Sequence, residues 1–233
     1  MVSTLDSLLK SSSEIIVVEG EEGIGKTTLL AQFARTYNLQ TISAFVTNSS
    51  RYAWDPTMLA GNLHEQIQFA LGNAPRKDHG EADVQSLLRG SITALQKQAN
   101  WDKKKYYFVI DGLDEIPKEE NGALEQILDL LPTGLPQFRF LLSGSVEIFT
   151  RYRKGKASLK SWTLPPFSLD ETIKYFSDIK LDRSHNETLY KASAKGIPGR
   201  LASIRRLCTA NNKTPDEVVS NLSDHAPDLL EKE

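Results

Sequence analysis

Eight consecutive residues, Gly20-Glu21-Glu22-Gly23-Ile24-Gly25-Lys26-Thr27, constrain the fold of this chain more than any other feature. They fit G-x-x-x-x-G-K-[ST] without a gap, in the context that pattern requires. Before them runs 14–19 (EIIVVE), a β-branched stretch of the kind that forms a strand buried on both faces. After them Leu29, Leu30, Phe33, Ala34 and Tyr37 recur at helical spacing. Strand, glycine turn and helix together make a phosphate cradle: the glycines let successive N–H groups turn inward, and the helix adds its positive end. In such a loop Lys26 reaches the β- and γ-phosphates and the Thr27 hydroxyl coordinates Mg²⁺, while Gly23, Ile24, Gly25 and Thr28 complete the cradle. Glu21 and Glu22 would repel a triphosphate, so they are expected to face solvent.

The rest of the chain alternates in the same way. Segments 40–46, 106–110, 138–142 and 159–164 read as further strands. Segments 56–71, 81–99 and 123–131 read as helices, with 73–80 a polar loop and Trp54-Asp55-Pro56 a helix start with Trp54 packed inside. Strands separated by helices imply a five-stranded parallel sheet with right-handed crossovers. After Pro165-Pro166 the pattern is helical only, with capping-box sequences at Ser168–Glu171, Ser184–Glu187 and Thr214–Glu217. The expected division is 1–165, a nucleotide-binding domain, and 166–233, a helical lid. At 233 residues, 39% hydrophobic and 25% charged, the chain is an ordinary globular protein. A net charge of −2 points neither to nucleic acid nor to an acidic tail, and Cys208 alone allows no intramolecular disulfide. No basic leader precedes an apolar run and no segment approaches a membrane span, so a cytoplasmic protein is expected. His64, His79, His185 and His225 show no metal-ligand spacing.

A second motif follows the most hydrophobic strand, 106–110 (YYFVI): Asp111-Gly112-Leu113-Asp114-Glu115. An acid at the carboxyl end of a parallel strand faces the crevice where ligands bind in open α/β sheets. Asp111 is therefore the expected Mg²⁺ partner. Gly112 fills the next position, so the base or water-positioning role passes to Asp114 or Glu115.

These two motifs together resemble the STAND class of P-loop ATPases, and its NACHT branch in particular. A small residue after the Mg²⁺ acid, then the pair Asp114-Glu115, is the distinctive part. Leu164-Pro165-Pro166-Phe167-Ser168 is similar to the entry of that family's helical domain, and Gly196-Ile197-Pro198 to its G-x-P motif. The resemblance implies an ASCE/RecA-like fold, bound ATP or ADP with Mg²⁺, and Pro198 against the nucleotide. It also implies a signalling switch in innate or antiviral defence that self-oligomerises on activation, working with further domains or a protein partner. Adenine is favoured by the family and by the absence of N-K-x-D. One departure bears on rate. The family usually carries an arginine just after the fourth strand, where this chain has Leu142-Ser143-Gly144-Ser145. Arg139 lies at the strand's start, leaving Arg151 or Arg200 as candidate sensors, or an arginine supplied in trans, and slow hydrolysis is expected. The alternative is a AAA+-type DNA-associated ATPase, using Arg200 as sensor and the basic run 151–156 (RYRKGK) as a DNA contact.

Overall fold

The computed structural model describes residues 1–10, 14–74, 83–152, 158–179, 181, 183–210 and 217. The chain forms two compact units: Met1–Glu19 with Lys26–Thr163, and Gly20–Gly25 with Leu164–Glu233.

The first unit is built on β1 (Ile15–Glu19), β2 (Thr41–Phe45), β3 (Tyr106–Asp111), β4 (Phe138–Ser143) and β5 (Leu159–Thr163), all parallel. Their order across the sheet is β2-β3-β4-β1-β5, so β4 separates the strand before the glycine loop from the strand that ends in Asp111. The β-branched and aromatic runs have nowhere else to go. All six residues of β3 are buried, as are four of five in β1, and such strands need cover on both faces. On one face Ile15, Val17, Phe108, Ile110, Phe138 and Phe140 pack with α3 (Pro56–Ala70), α4 (Val84–Asp102) and α5 (Asn121–Leu130). Phe108 stacks on Phe140 and meets Phe138 edge-on, each pair with centroids 5.3 Å apart. On the other face α1 (Val2–Lys10) and α2 (Lys26–Thr36) cover the sheet, with Phe33 edge-on to Tyr107 at 5.2 Å. Each fully buried Phe or Ile here contributes about 1.5–3 kcal/mol of transfer free energy.

Helix starts follow the local chemistry. Asp55 caps α3 by accepting from the N–H groups of Thr57 and Met58, with Pro56 at the first helical position and Trp54 buried behind it. Asp83 does the same for α4. The outer edge of β2 is closed by one side chain: Gln66 accepts from Ser43 N–H at 2.8 Å and donates to Ser43 C=O at 2.7 Å, imitating a neighbouring strand.

Two elements of this unit are absent from the sequence reading. In α1 only Leu5 and Leu9 are buried, and nine residues with one apolar contact line are too short to hold as a helix without tertiary packing. The seven-residue α6 (Val146–Tyr152) follows β4 directly and is shorter still.

The second unit contains α7 (Leu169–Tyr175), α8 (Arg183–Ala192) and α9 (Pro198–Ala210) around Phe176, Leu189, Leu201, Ile204 and Cys208. Ser168 and Glu171 form the expected capping box at the start of α7, with both reciprocal hydrogen bonds made. The second expected box is not formed. Helix α8 already begins at Arg183, so Ser184 lies inside it, and Glu187 faces Arg183 instead at 3.4 Å. The third, at 214–217, falls largely outside the described residues.

The capping box generates a pH prediction. Hydrogen bonds from the Ser168 backbone N–H and hydroxyl hold the Glu171 carboxyl below its ordinary value. A depressed carboxyl contributes stability that is present above the unfolded-state value and is lost as pH falls through the folded one. Ser168→Ala is expected to cost about 1 kcal/mol at pH 7, read by urea unfolding of the helical unit. The difference from wild type should shrink as the pH is lowered below the ordinary glutamate range.

Candidate functional site

The loop Gly20–Gly25 belongs to the second unit. Gly20, Gly23 and Gly25 have φ of 151°, 74° and 99°, values that side-chain-bearing residues rarely adopt. Between them Ile24 is buried at 5% exposure and its N–H donates to Glu21 C=O at 3.2 Å, while Glu21 and Glu22 face solvent. Still in this unit, Gly199 N–H donates to Gly23 C=O at 2.8 Å, and Pro198 opens α9 beside it. Arg200 is the next residue. It is partly buried, and its Nε is shielded from solvent with no hydrogen-bond partner among the described residues.

In the sheet unit, α2 starts at Lys26 with Thr27 and Thr28 exposed in its first turn, where backbone N–H groups have no intrahelical acceptor. Asp111 closes β3 at 4% exposure, and its C=O accepts from Val46 N–H at 2.9 Å. Gly112 turns the chain with φ of 75°, and a Cβ there would land on the Val46 carbonyl oxygen. Its N–H donates to the hydroxyl of buried Ser143 at 2.8 Å. Leu113 is anchored in the core, which leaves Asp114 and Glu115 exposed on the following turn. Asp114 lies over the end of β4, its Cβ 3.8 Å from where Gly144 would carry one. Glu115 reaches the other way, accepting from Asn48 N–H at 3.2 Å in the segment after β2. The structure thus collects Asp111, Asp114 and Glu115 at the carboxyl ends of β2, β3 and β4. Ser143, which sets the peptide after Asp111, carries no recognisable motif and only its burial beside β3 reveals its role.

Arg139 is elsewhere, as its position at the strand start implies: Nη1 donates to Pro136 C=O at 2.9 Å and Phe138 C=O at 2.7 Å, and Nε to Leu9 C=O at 3.3 Å. The side chains of 151–157, including Arg151 and the basic run, lie outside the described residues. A groove of about 1010 Å³ lined by Leu39, Thr41, Phe69 and Tyr106 opens at the amino ends of β2 and β3, away from the acids.

Taken separately, each unit holds groups of the kind that a nucleotide with Mg²⁺ requires, phosphate-binding ones in the helical unit and Mg²⁺-suited ones in the sheet unit. Positive-φ glycines around a turn form an anion-binding concavity, and Arg200 Nε is a desolvated donor that lacks an acceptor among the described residues. Among the described residues no group of three or more His, Cys, Asp or Glu could hold a metal. A hydroxyl and one carboxylate suit Mg²⁺, which takes few protein ligands and arrives with phosphates.

A family model described as NACHT domain matches residues 14–183. No curated protein matches the chain. Among solved structures it resembles a Walker-type ATPase of Pyrococcus abyssi, with TM-score 0.68 and 14% identity over 98% of this chain and 71% of that one. It also resembles Drosophila ORC bound to DNA, with TM-score 0.56 and 13% identity over 97% of this chain and 66% of that one. The Aeropyrum pernix ORC1 protein in complex with DNA gives TM-score 0.51 and 15% identity over 96% and 62%. Identities this low speak to the fold, and the fold is that of P-loop ATPases. No helix among the described residues is long and apolar enough to cross a membrane.

Gly112 is the position where this geometry tolerates least. Gly112→Ala combines a positive φ with a backbone collision, so it is expected to destabilise by at least about 2 kcal/mol in urea unfolding.

Proposed function

The chain belongs to the NACHT family of P-loop NTPases, and on that premise we propose that it is a slow, Mg²⁺-dependent ATPase serving as the core of a STAND-type signalling switch. The observation that carries this reading is a buried Asp111 at the carboxyl end of β3 with an exposed acid pair directly behind it. Gly23, Gly25 and Thr28 bind the phosphates through backbone N–H groups, Ile24 shapes the cradle with its own N–H on Glu21 C=O, and Lys26 neutralises the β- and γ-oxygens. Thr27 and Asp111 would hold Mg²⁺, which would supply positive charge to stabilise the phosphate oxygens. Asp114 or Glu115 orients the attacking water and takes its proton. Glu115 would have to give up the Asn48 N–H to do so. Ser143 keeps the Asp111–Gly112 peptide in place through the Gly112 N–H. Pro198 packs against the nucleotide. Adenine rather than guanine is read, since N-K-x-D is absent.

Slow turnover follows from the end of β4 and the residues after it, Ser143-Gly144-Ser145, which include no arginine. Arg200, with its unsatisfied Nε, is the better supported sensor for the γ-phosphate. In this reading residues 166–233 form the lid, nucleotide state sets the conformation, and the ATP form self-oligomerises in the cytoplasm. Immune or antiviral signalling, through other domains or a protein partner, is the role such a switch would serve.

Chain purified without added nucleotide and then denatured is expected to release stoichiometric ADP on chromatography. An empty protein that turns over ATP freely and binds DNA in a salt-sensitive way would replace the switch with a DNA-associated motor. Lys26→Ala should abolish nucleotide binding. Asp114→Asn or Glu115→Gln should retain binding and lower single-turnover hydrolysis by about 10²-fold or more. If neither acid substitution slows hydrolysis, the acid assignment is wrong.

A further inference from the structure

We propose that Gly199 is a positioning residue for the phosphate loop, its N–H gripping the Gly23 carbonyl and its missing side chain letting the first turn of α9 lie directly on the loop. The inference rests on the nucleotide-binding reading above and concerns how tightly that site holds what it binds.

Two features make the contact more than incidental packing. The first is that glycine at 199 has no reason within its own helix. Alanine is the better helix former, and 199 is the second residue of α9, directly after Pro198. What requires glycine is the neighbour. A Cβ at 199 would stand 2.9 Å from Gly23 Cα and 2.9 Å from Gly23 O, closer than real Cβ contacts come. The second is where the hydrogen bond goes. The opening N–H groups of a helix lack intrahelical acceptors, and in α9 the Gly199 N–H takes a loop carbonyl at 2.8 Å.

The consequence is local and specific. The Gly23–Ile24 peptide is held from both sides, its carbonyl by Gly199 N–H and its own N–H by Glu21 C=O at 3.2 Å. At the loop's entry Gly20 lies against the Leu164 carbonyl, 3.6 Å from where a Cβ would be. These ties agree with the grouping of Gly20–Gly25 with the helical segment rather than with the sheet. A loop whose peptides are already set does not have to be ordered by its ligand, and preorganisation of this kind appears as a slower off-rate. Gly199 therefore governs retention of nucleotide rather than the chemical step.

The test uses the full chain. Gly199→Ala is expected to speed dissociation of a fluorescent ADP analogue about tenfold while single-turnover hydrolysis of prebound ATP changes less than about twofold. Gly90→Ala, the same change in α4 where a Cβ meets open space, should keep the wild-type off-rate. An unchanged off-rate in a folded Gly199→Ala would overturn the proposal. Hydrogen exchange on the wild-type chain guards against a variant that fails to fold. The Gly199 amide should exchange at least about tenfold slower than an unstructured glycine, and exchange at the unstructured rate would overturn the proposal equally. A wild-type chain that binds no nucleotide would sink the functional reading and this inference together, with the exchange result still reporting whether the contact exists.

Discussion

Parallelism is the constraint on which the rest of the sheet unit depends. Five strands running one way bring all their carboxyl ends to one edge, so β3 and β4 present Asp111 and Ser143 in the same direction. The direction is enforced by burial. β1 and β3 are apolar on both faces, and only helical cover on each side can shield them. The aromatic stack of Phe108, Phe138 and Phe140 locks β3 to β4 on one face, and Phe33 against Tyr107 locks α2 to β3 on the other.

From that frame the acidic edge is assembled by backbone geometry more than by side-chain pairing. Gly112 passes under the Val46 carbonyl, its N–H is fixed by Ser143, and Leu113 anchors the turn that presents Asp114 and Glu115. The same edge ties its strands to the segments that follow them: Glu19 accepts from Val146 N–H at 2.8 Å, and Glu115 from Asn48 N–H at 3.2 Å. A carboxylate here therefore has structural partners as well as a chemical task. Glu115 in particular joins the end of β3 to the segment leaving the sheet's outermost strand.

The helical unit obeys different rules. Its stability comes from one small cluster around Phe176, Leu189, Leu201 and Ile204, and from the capping box of Ser168 and Glu171. Arg205 braces it by donating to Tyr175 C=O at 2.6 Å and pairing with Asp178 at 2.5 Å. Its contribution to the phosphate loop is made by main chain, Gly199 to Gly23, where no side chain could fit.

What the sequence determined by itself was encoded at short range. The gapless G-x-x-x-x-G-K-T between a β-branched run and an apolar helix, the Asp111–Glu115 run behind YYFVI, the Asp55-Pro56 helix start and the Ser168–Glu171 cap each depend on residues within a few positions of one another. The tertiary structure decided what depends on distant partners. It set β4 between β1 and β3, an order that no local pattern carries. It made a helix of residues 2–10, whose two buried leucines suffice only against the sheet. It started α8 two residues too early for Ser184 to cap it. It also gave Ser143, Gly112 and Gly199 their roles, because a hydroxyl or a missing Cβ acquires meaning only when another segment of backbone comes within about 3 Å.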